Sequence, residues 1–339
     1  MRSGQVARGG YETVFTRRSV MRAAAAGAMA ASGNSFLKAQ TLSRTLRIIV
    51  GFPAGGGTDV LARILAEKLT GGFASAAIVE NRPGGAARIA VEYVRNAEAD
   101  GSVILFTPDF PMTVYPYSFR ALTYDPLRDF TPVAPAAKSA LALSIGSAVP
   151  PEIKSLSDFL RWCRANPNDA TYATTAAGGT PHFTGVLLAQ QAGVPLTPVH
   201  YKGGAPALQD LIGGHVSSSI NPVGETLPFA KAGSVRVLAV TSAQRSSFLP
   251  EVPTMKESGY DVVIEDWLGV LVPSKTPMEI VSKLNVAIKE AFSAPDIAKK
   301  LSALGNEVAY QTPADFTDTI RADLGRWGPI VKASGFVAD

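Results

Sequence analysis

The chain has 339 residues, 46% hydrophobic and 18% charged, with 32 basic against 28 acidic residues and one cysteine. That length suits one large domain or two ordinary ones, and a lone Cys163 excludes an intrachain disulfide or a thiolate metal cluster. Six of the basic residues and one acid fall within 1–39, so the remainder carries 26 basic and 27 acidic residues, net −1, and offers no basic surface to nucleic acid or an anionic membrane.

Residues 1–39 read as an export signal. Thr16-Arg17-Arg18-Ser19-Val20-Met21-Arg22 is a twin-arginine sequence, followed by an Ala-rich run, Ala23 to Ser32, and a cut site after Ala39. A membrane span needs roughly 20 apolar residues, which this run does not reach. A cleaved leader and a periplasmic product are expected, with the Tat and general secretory routes both open.

Beyond the leader, apolar strands alternate with amphipathic helices. The first third reads as strands over 46–52, 76–80 and 103–107, with helices over 59–69 and 88–97 between them, the βαβαβ rhythm of a largely parallel sheet. The middle repeats it. A strand over 140–145 precedes a helix from Ser155 to Asn166, with Ser155-x-x-Asp158 as its capping box, and Cys163 reads as a buried thiol on that helix. The strand "ATYATT" leads through "GGTPHF" to a helix over 184–191. "LTPVHY" is a strand, "KGGAP" a turn, 207–213 a helix and "VRVLAVT" a strand. "DVVIEDWLGVLVP" is too long and apolar for a surface loop. The last two helices begin at Thr276-Pro277 and Thr312-Pro313, each expected to carry Thr at the N-cap and Pro at the first helical position. Two α/β lobes fit this order, with the chain returning to the first.

The run "GFPAGGGTD" joins a strand to a helix. It is no Walker loop, since the first lysine after the glycines is Lys68, and the dinucleotide fingerprint fails at position 60, which is Val. Glycines at a helix start let N–H groups converge, and the helix dipole adds positive charge, so such a corner holds an anion without a cationic side chain. Thr58 could cap the helix or donate to a ligand; Asp59 complements the dipole. "YATTAAGGTPHF" has the same construction. Two such corners facing across a cleft would clamp a small acid, since ligands of open α/β sheets sit beyond the carboxyl ends of strands.

The segments "FPAGGGTDVLAR", "VENRPGG", "LTYDPLRDFTPV", "YKGGAPALQDLIGGHV" and "VRVLAVTSAQRSSFLPEVPTMKESGY" resemble the Bug family, the periplasmic solute-binding proteins of tripartite tricarboxylate transporters. The likeness runs in order from about Arg44 to Val331. It implies a two-lobed periplasmic-binding-protein (Venus flytrap, type II) α/β fold with crossover strands, lobe 1 being 40–142 with 264–339 and lobe 2 being 143–263. It also implies no catalysis and no cofactor, and a carboxylate held mainly by main-chain N–H groups. Carried over residue by residue, the first corner is Phe52, Ala54, Gly55, Gly56, Gly57, Thr58 and Asp59. The second is Thr174, Thr175, Gly178, Gly179, Thr180 and His182. The chain departs from the family pattern at Ala176 and Gly179, at Ala86 and Ala87 where glycines are usual, at His200, and in "SSSIN", Ser217 to Asn221, which lacks the common acids. Ligand identity therefore does not transfer.

Other residues add to this picture. Asp109, after a first-lobe strand, faces the same cleft by strand order and could accept from an amine or hydroxyl, or simply cap its loop. Asn221 and Phe110 are further candidates, Lys202 is a turn lysine with a possible electrostatic role, and Trp267 packs near the crossover. The three histidines lack ligand spacing, so no metal site is expected. There is no Gly-x-Ser-x-Gly elbow and no His-Glu-x-x-His, and Cys163 has no activating base nearby in sequence, so no catalytic residue is expected. The expectation is a monomeric receptor that captures a small organic acid and delivers it to membrane permease subunits. A module presenting the acid to a receptor kinase would use the same residues.

Overall fold

The computed structural model describes residues 42–338; the export-signal reading lies outside them. Strands β1 (Leu46–Val50), β2 (Ala77–Asn81) and β3 (Val103–Pro108) are parallel neighbours in the order β2-β1-β3. Leu46, Ile48, Ile49 and Val50 are fully buried, as are Ile104, Leu105 and Phe106. Such continuous apolar runs mark strands covered on both faces. The helix Gly57–Leu69 covers one side with Leu61, Ala62, Leu65, Ala66 and Leu69, the spacing of a single helical face.

The two halves are joined by long strands. β4 (Phe130–Ile145) spans 16 residues. Its first part runs antiparallel to β9 (Glu265–Pro273), from Phe130↔Pro273 to Ala140↔Glu265, and β9 also pairs β3. From Leu141 onward β4 changes partners to β7 (Ser218–Pro222) and β8 (Arg236–Val240). β7 leads to β5 (Thr171–Thr174) and β6 (Thr197–His200), parallel to one another, and β10 (Glu307–Val308) pairs β4. The result is a two-lobed α/β fold whose crossover strands serve both halves.

Several expectations were too short or displaced. The strand expected over 140–145 begins ten residues earlier, at Phe130. Pro132 and Pro135 cannot donate to a ladder, and the register with β9 shifts just after each of them. The helix expected from 184 begins at Thr180, because Pro181 suits a first helical turn. Elements not foreseen include strands β7 and β10, the short helices Phe110–Thr113 and Tyr115–Ser118, and the helices Val223–Lys231 and Pro295–Ala303.

The caps divide cleanly. Ser155 accepts from the Asp158 N–H at 3.1 Å and Thr312 from the Asp315 N–H at 3.2 Å, as the capping boxes predicted. Thr276 caps nothing. Its N–H closes a turn onto the Pro273 carbonyl at 2.9 Å, Pro277 stays extended with ψ 135°, and the helix starts one residue late at Met278. Cys163 is buried as expected, and desolvation raises its thiol pKa to about 12. Ala86 and Ala87, at the turn where glycine is usual, have φ of 53° and 71°. That left-handed conformation costs a residue with a Cβ roughly 1–2 kcal/mol.

Candidate functional site

The first corner is built by β1 and the helix that follows it. Gly56 is the N-cap, with extended backbone (φ −75°, ψ 166°) and no side-chain cap, so Thr58 does not cap the helix. The early N–H groups of a helix have no partner within it, and two positions here are met by carboxylates. Asp59 Oδ2 accepts from the Gly55 N–H at 2.9 Å, and Glu225 Oε1 from the Gly57 N–H at 3.1 Å. The Gly56 and Thr58 amides have no acceptor among the described residues.

Asp59 therefore does more than complement a dipole. It is 2% exposed and also accepts from Arg63 Nε and Asn81 Nδ2, each at 2.9 Å. Burial alone would raise its pKa, but the bonds from Arg63, Gly55 and Asn81 outweigh it, so the carboxylate stays ionised below the usual range. These bonds tie the turn to its own helix and to β2.

This corner opens on a cavity of about 320 Å³. Phe52, Ala54, Gly55, Gly56, Gly57 and Thr58 line one side. Lys138 and Ser139 of β4 and Asp266 and Trp267 of β9 form the crossover wall, and Phe110 contributes an aromatic edge. The facing wall comes from Lys202, Gly203 and Gly204 at the start of the helix Gly204–Ile212 and from Glu225 in the first turn of the helix Val223–Lys231. At two of these points a side chain would meet the Glu225 carboxylate. A Cβ on Gly57 would stand 2.7 Å from Glu225 Oε1, and one on Gly204 would overlap Glu225 Oε2.

The second corner is placed differently from the sequence picture. Only Thr175 of that group reaches the cavity wall. Thr174 is fully buried, contacting the Ala176 carbonyl at 3.1 Å and His200 Nδ1 at 3.0 Å. Thr180 donates to Asp109 Oδ2 at 2.7 Å, and Ser118 Oγ donates to the Gly178 carbonyl at 3.2 Å. A Cβ on Gly179 would lie 3.3 Å from the Phe110 ring. His182 is 2% exposed, accepts from the Gly178 N–H at 3.2 Å and packs edge-on to His200 with ring centroids 4.7 Å apart. Burial, then the neighbouring His200, lowers its pKa to about 4, so it is a neutral imidazole. Phe110, Ser118 and Phe336 cover this corner, and what faces the first corner across the cavity is the Lys202–Gly204 turn.

Asp109 and Asn221 also lie outside the cavity wall. Asp109 is 1% exposed, and burial raises its pKa to about 7 despite the Thr180 bond. Asn221 is fully buried on β7 and donates to Ser219 Oγ at 2.9 Å. Trp267 does pack at the crossover, donating to Asp323 Oδ2 at 2.9 Å with its ring edge-on to Phe316.

Sequence reasoning missed Glu225 and Asp266. Glu225 Oε2 and Asp266 Oδ1 are buried without hydrogen-bond partners, and burial raises both pKa values, Asp266 further through the charges of Asp109 and Glu225. A local signal for Glu225 existed: an acid in the first turn of its helix, where it complements the dipole as Asp59 does in its own helix. Among the described residues no cluster of His, Cys, Asp or Glu could hold a metal, and no helix is long and apolar enough to cross a membrane.

Two α/β lobes sharing crossover strands, with a cleft between a glycine corner of one and a helix start of the other, define the periplasmic solute-binding class of protein. The chain belongs to the TctC family, the tripartite tricarboxylate transporter family receptors, whose model matches residues 61–336. It is similar to a UPF0065 protein from the tcbD-tcbE intergenic region of Pseudomonas sp. (strain P51), 33% identical over 90% of this chain and 92% of that one. Protein BugT of Bordetella pertussis (strain Tohama I) is 31% identical over 86% and 90%. Among solved structures, an R. palustris protein with adipate superposes with a TM-score of 0.82 at 32% identity, covering 87% of this chain and 98% of that one. MatC from Rhodopseudomonas palustris, with bound malate, gives 0.79 at 28% over 85% and 99%. The periplasmic binding protein BugD gives 0.80 at 28% over 87% and 99%.

Proposed function

We propose that this protein is an extracytoplasmic receptor that captures a small carboxylate in the interlobe cleft and delivers it to a tripartite tricarboxylate-type permease, without catalysis or cofactor. The observation that carries the reading is the first corner, where the Gly56 and Thr58 amides at a helix start border a cavity of about 320 Å³. Ligand pockets commonly run from about 300 to 1,000 Å³, so this one suits a small metabolite. The adipate and malate held by two similar structures agree with such an occupant.

Capture works by closure. Ligand contacts from both lobes favour the closed arrangement over the open one, and the shift is limited by the difference in affinity between them. We take lobe 1 as 40–142 with 264–339 and lobe 2 as 143–263, a division supported by the change of β4 partners after Ala140. Export by the leader, removed after Ala39, and action as a monomer complete the reading.

The test is a thermal-shift panel of mono- and dicarboxylates, adipate and malate included, on protein unfolded and refolded to strip any retained ligand. A ligand that binds only the folded state raises the melting temperature, so at least one acid should do so in a dose-dependent way. A panel with no shift would refute carboxylate capture.

A further inference from the structure

The helix Pro313–Ser334 ends at Gly335, whose φ of 68° is the left-handed value that glycine adopts readily at a helix end. The chain turns there and is tied down again three residues later. The Ala338 N–H donates to the Ser118 carbonyl at 2.6 Å, and the Arg120 N–H donates to the Ala338 carbonyl at 3.2 Å. Segment 335–338 is thus held to lobe 1 at both ends, by its helix and by the bridge between Ala338 and Phe119. Between these ties Val337 is exposed, while the ring of half-buried Phe336 reaches across to lobe 2.

That ring stands edge-on to His182 and Phe183, with centroids 4.6 and 5.8 Å apart, and lies 6.4 Å from His200. Its seat is firm. Phe183 is fully buried, and the Tyr172 hydroxyl donates to the His182 carbonyl at 2.9 Å. The Thr180 hydroxyl to Asp109 and the Ser118 hydroxyl to the Gly178 carbonyl also bridge the lobes beside it. Phe336 is not on the cavity wall, so it takes no space from a ligand. The Gly57–Glu225 contact, by comparison, lies on that wall. Aromatic rings gain from edge-to-face contact beyond the area they bury, and a swing of lobe 2 away from lobe 1 would pull His182 and Phe183 off the ring.

Resting on the lobe division taken above, we propose that segment 335–338 is an interlobe latch, with Phe336 as the pin and the buried Gly178–His182 corner as its seat. A contact made only when the lobes are together shifts the ligand-free population toward the closed arrangement. A ligand that prefers the closed form then finds more of the protein ready to bind it.

Small-angle scattering and hydrogen exchange on the refolded, ligand-free full chain test this, comparing wild type with Phe336→Ala and Phe336→Leu. Phe336→Ala should show a larger radius of gyration and exchange about ten-fold faster across residues 176–186, with circular dichroism unchanged. Phe336→Leu keeps an apolar contact and should fall between. A lowered melting temperature with wild-type scattering and exchange would make Phe336 ordinary packing and overturn the latch. Faster exchange without expansion would confine the effect to one lobe and overturn it as well. If the alanine variant does not fold, the leucine variant decides by the same two readouts. Both readouts use protein without ligand, so a thermal-shift panel with no response would remove carboxylate capture and leave the latch to be judged separately.

Discussion

The contact between Gly204 and Glu225 offers a quantitative test of the site's geometry. Gly204 opens the helix Gly204–Ile212 with helical backbone, so alanine is conformationally acceptable there. Removing glycine's freedom in the unfolded chain would by itself stabilise by about 0.4–1 kcal/mol. Against this, the new methyl overlaps Glu225 Oε2. The carboxylate must swing away and surrender its bond to the Gly57 N–H, and overpacking of this kind costs about 1–3 kcal/mol. Gly204→Ala should therefore destabilise by about 1–2 kcal/mol net. In a Glu225→Ala background the obstacle is gone, and the same substitution should be neutral or stabilising. Urea unfolding of the four proteins of this double-mutant cycle at pH 7.5 measures the coupling, expected at about 1–3 kcal/mol. Effects that add to within about 0.5 kcal/mol, as for independent sites, would refute the placement of Glu225 between the two glycine turns.

Further predictions concern binding, pH and the turns. Gly56→Val keeps an extended backbone that valine accepts, and its Cβ meets nothing nearer than the Pro53 carbonyl at 3.5 Å; the melting temperature should change by less than about 2 °C while affinity for any acid that binds the wild type falls at least ten-fold, and unchanged affinity would remove the first corner from the site. Asp109 titrates at about 7 when folded against 3.8 as a free side chain. Between those values the unfolded chain has lost a proton that the folded protein keeps, so stability falls as pH rises from 3.8 to 7, by at most about 4 kcal/mol. Asp109→Asn keeps an acceptor for Thr180 and should flatten that part of the stability–pH curve; superimposable curves would contradict the burial of an acid there. Ala86→Gly relieves a left-handed φ of 53°, worth roughly 1–2 kcal/mol, against about 0.4–1 kcal/mol of added unfolded-state freedom. It should stabilise by up to about 1 kcal/mol in a melt. Thr312→Ala should cost about 1 kcal/mol through its lost cap, whereas Thr276→Val, whose hydroxyl has no partner, should not destabilise at all.

Local chemistry in the sequence was enough to locate much of this molecule. The first corner, the Ser155 and Thr312 caps and the strand–helix alternation all depend on neighbours within a few residues, where propensity and hydrogen bonding leave a readable pattern. What escaped depends on distant partners. The long reach of β4 was hidden by Pro132 and Pro135, which bar donation but are tolerated where the ladder shifts register. The helix carrying Glu225 contains Gly224 and Pro228, residues that argue against a helix on propensity alone. The Gly178–His182 corner has every local feature of an anion site. Phe110, Ser118 and Phe336, brought from elsewhere in the chain, cover it. Two glycine corners of similar construction therefore differ in exposure to the cavity through side chains that neither motif contains.

The most direct measurement is a crystal structure of the protein with an acid that raises its melting temperature in the thermal-shift panel. Carboxylate oxygens within hydrogen-bonding distance of the Gly56 and Thr58 amides, between the lobes, are the predicted result. The same acid seated away from that corner, with those amides turned to solvent, would contradict the account.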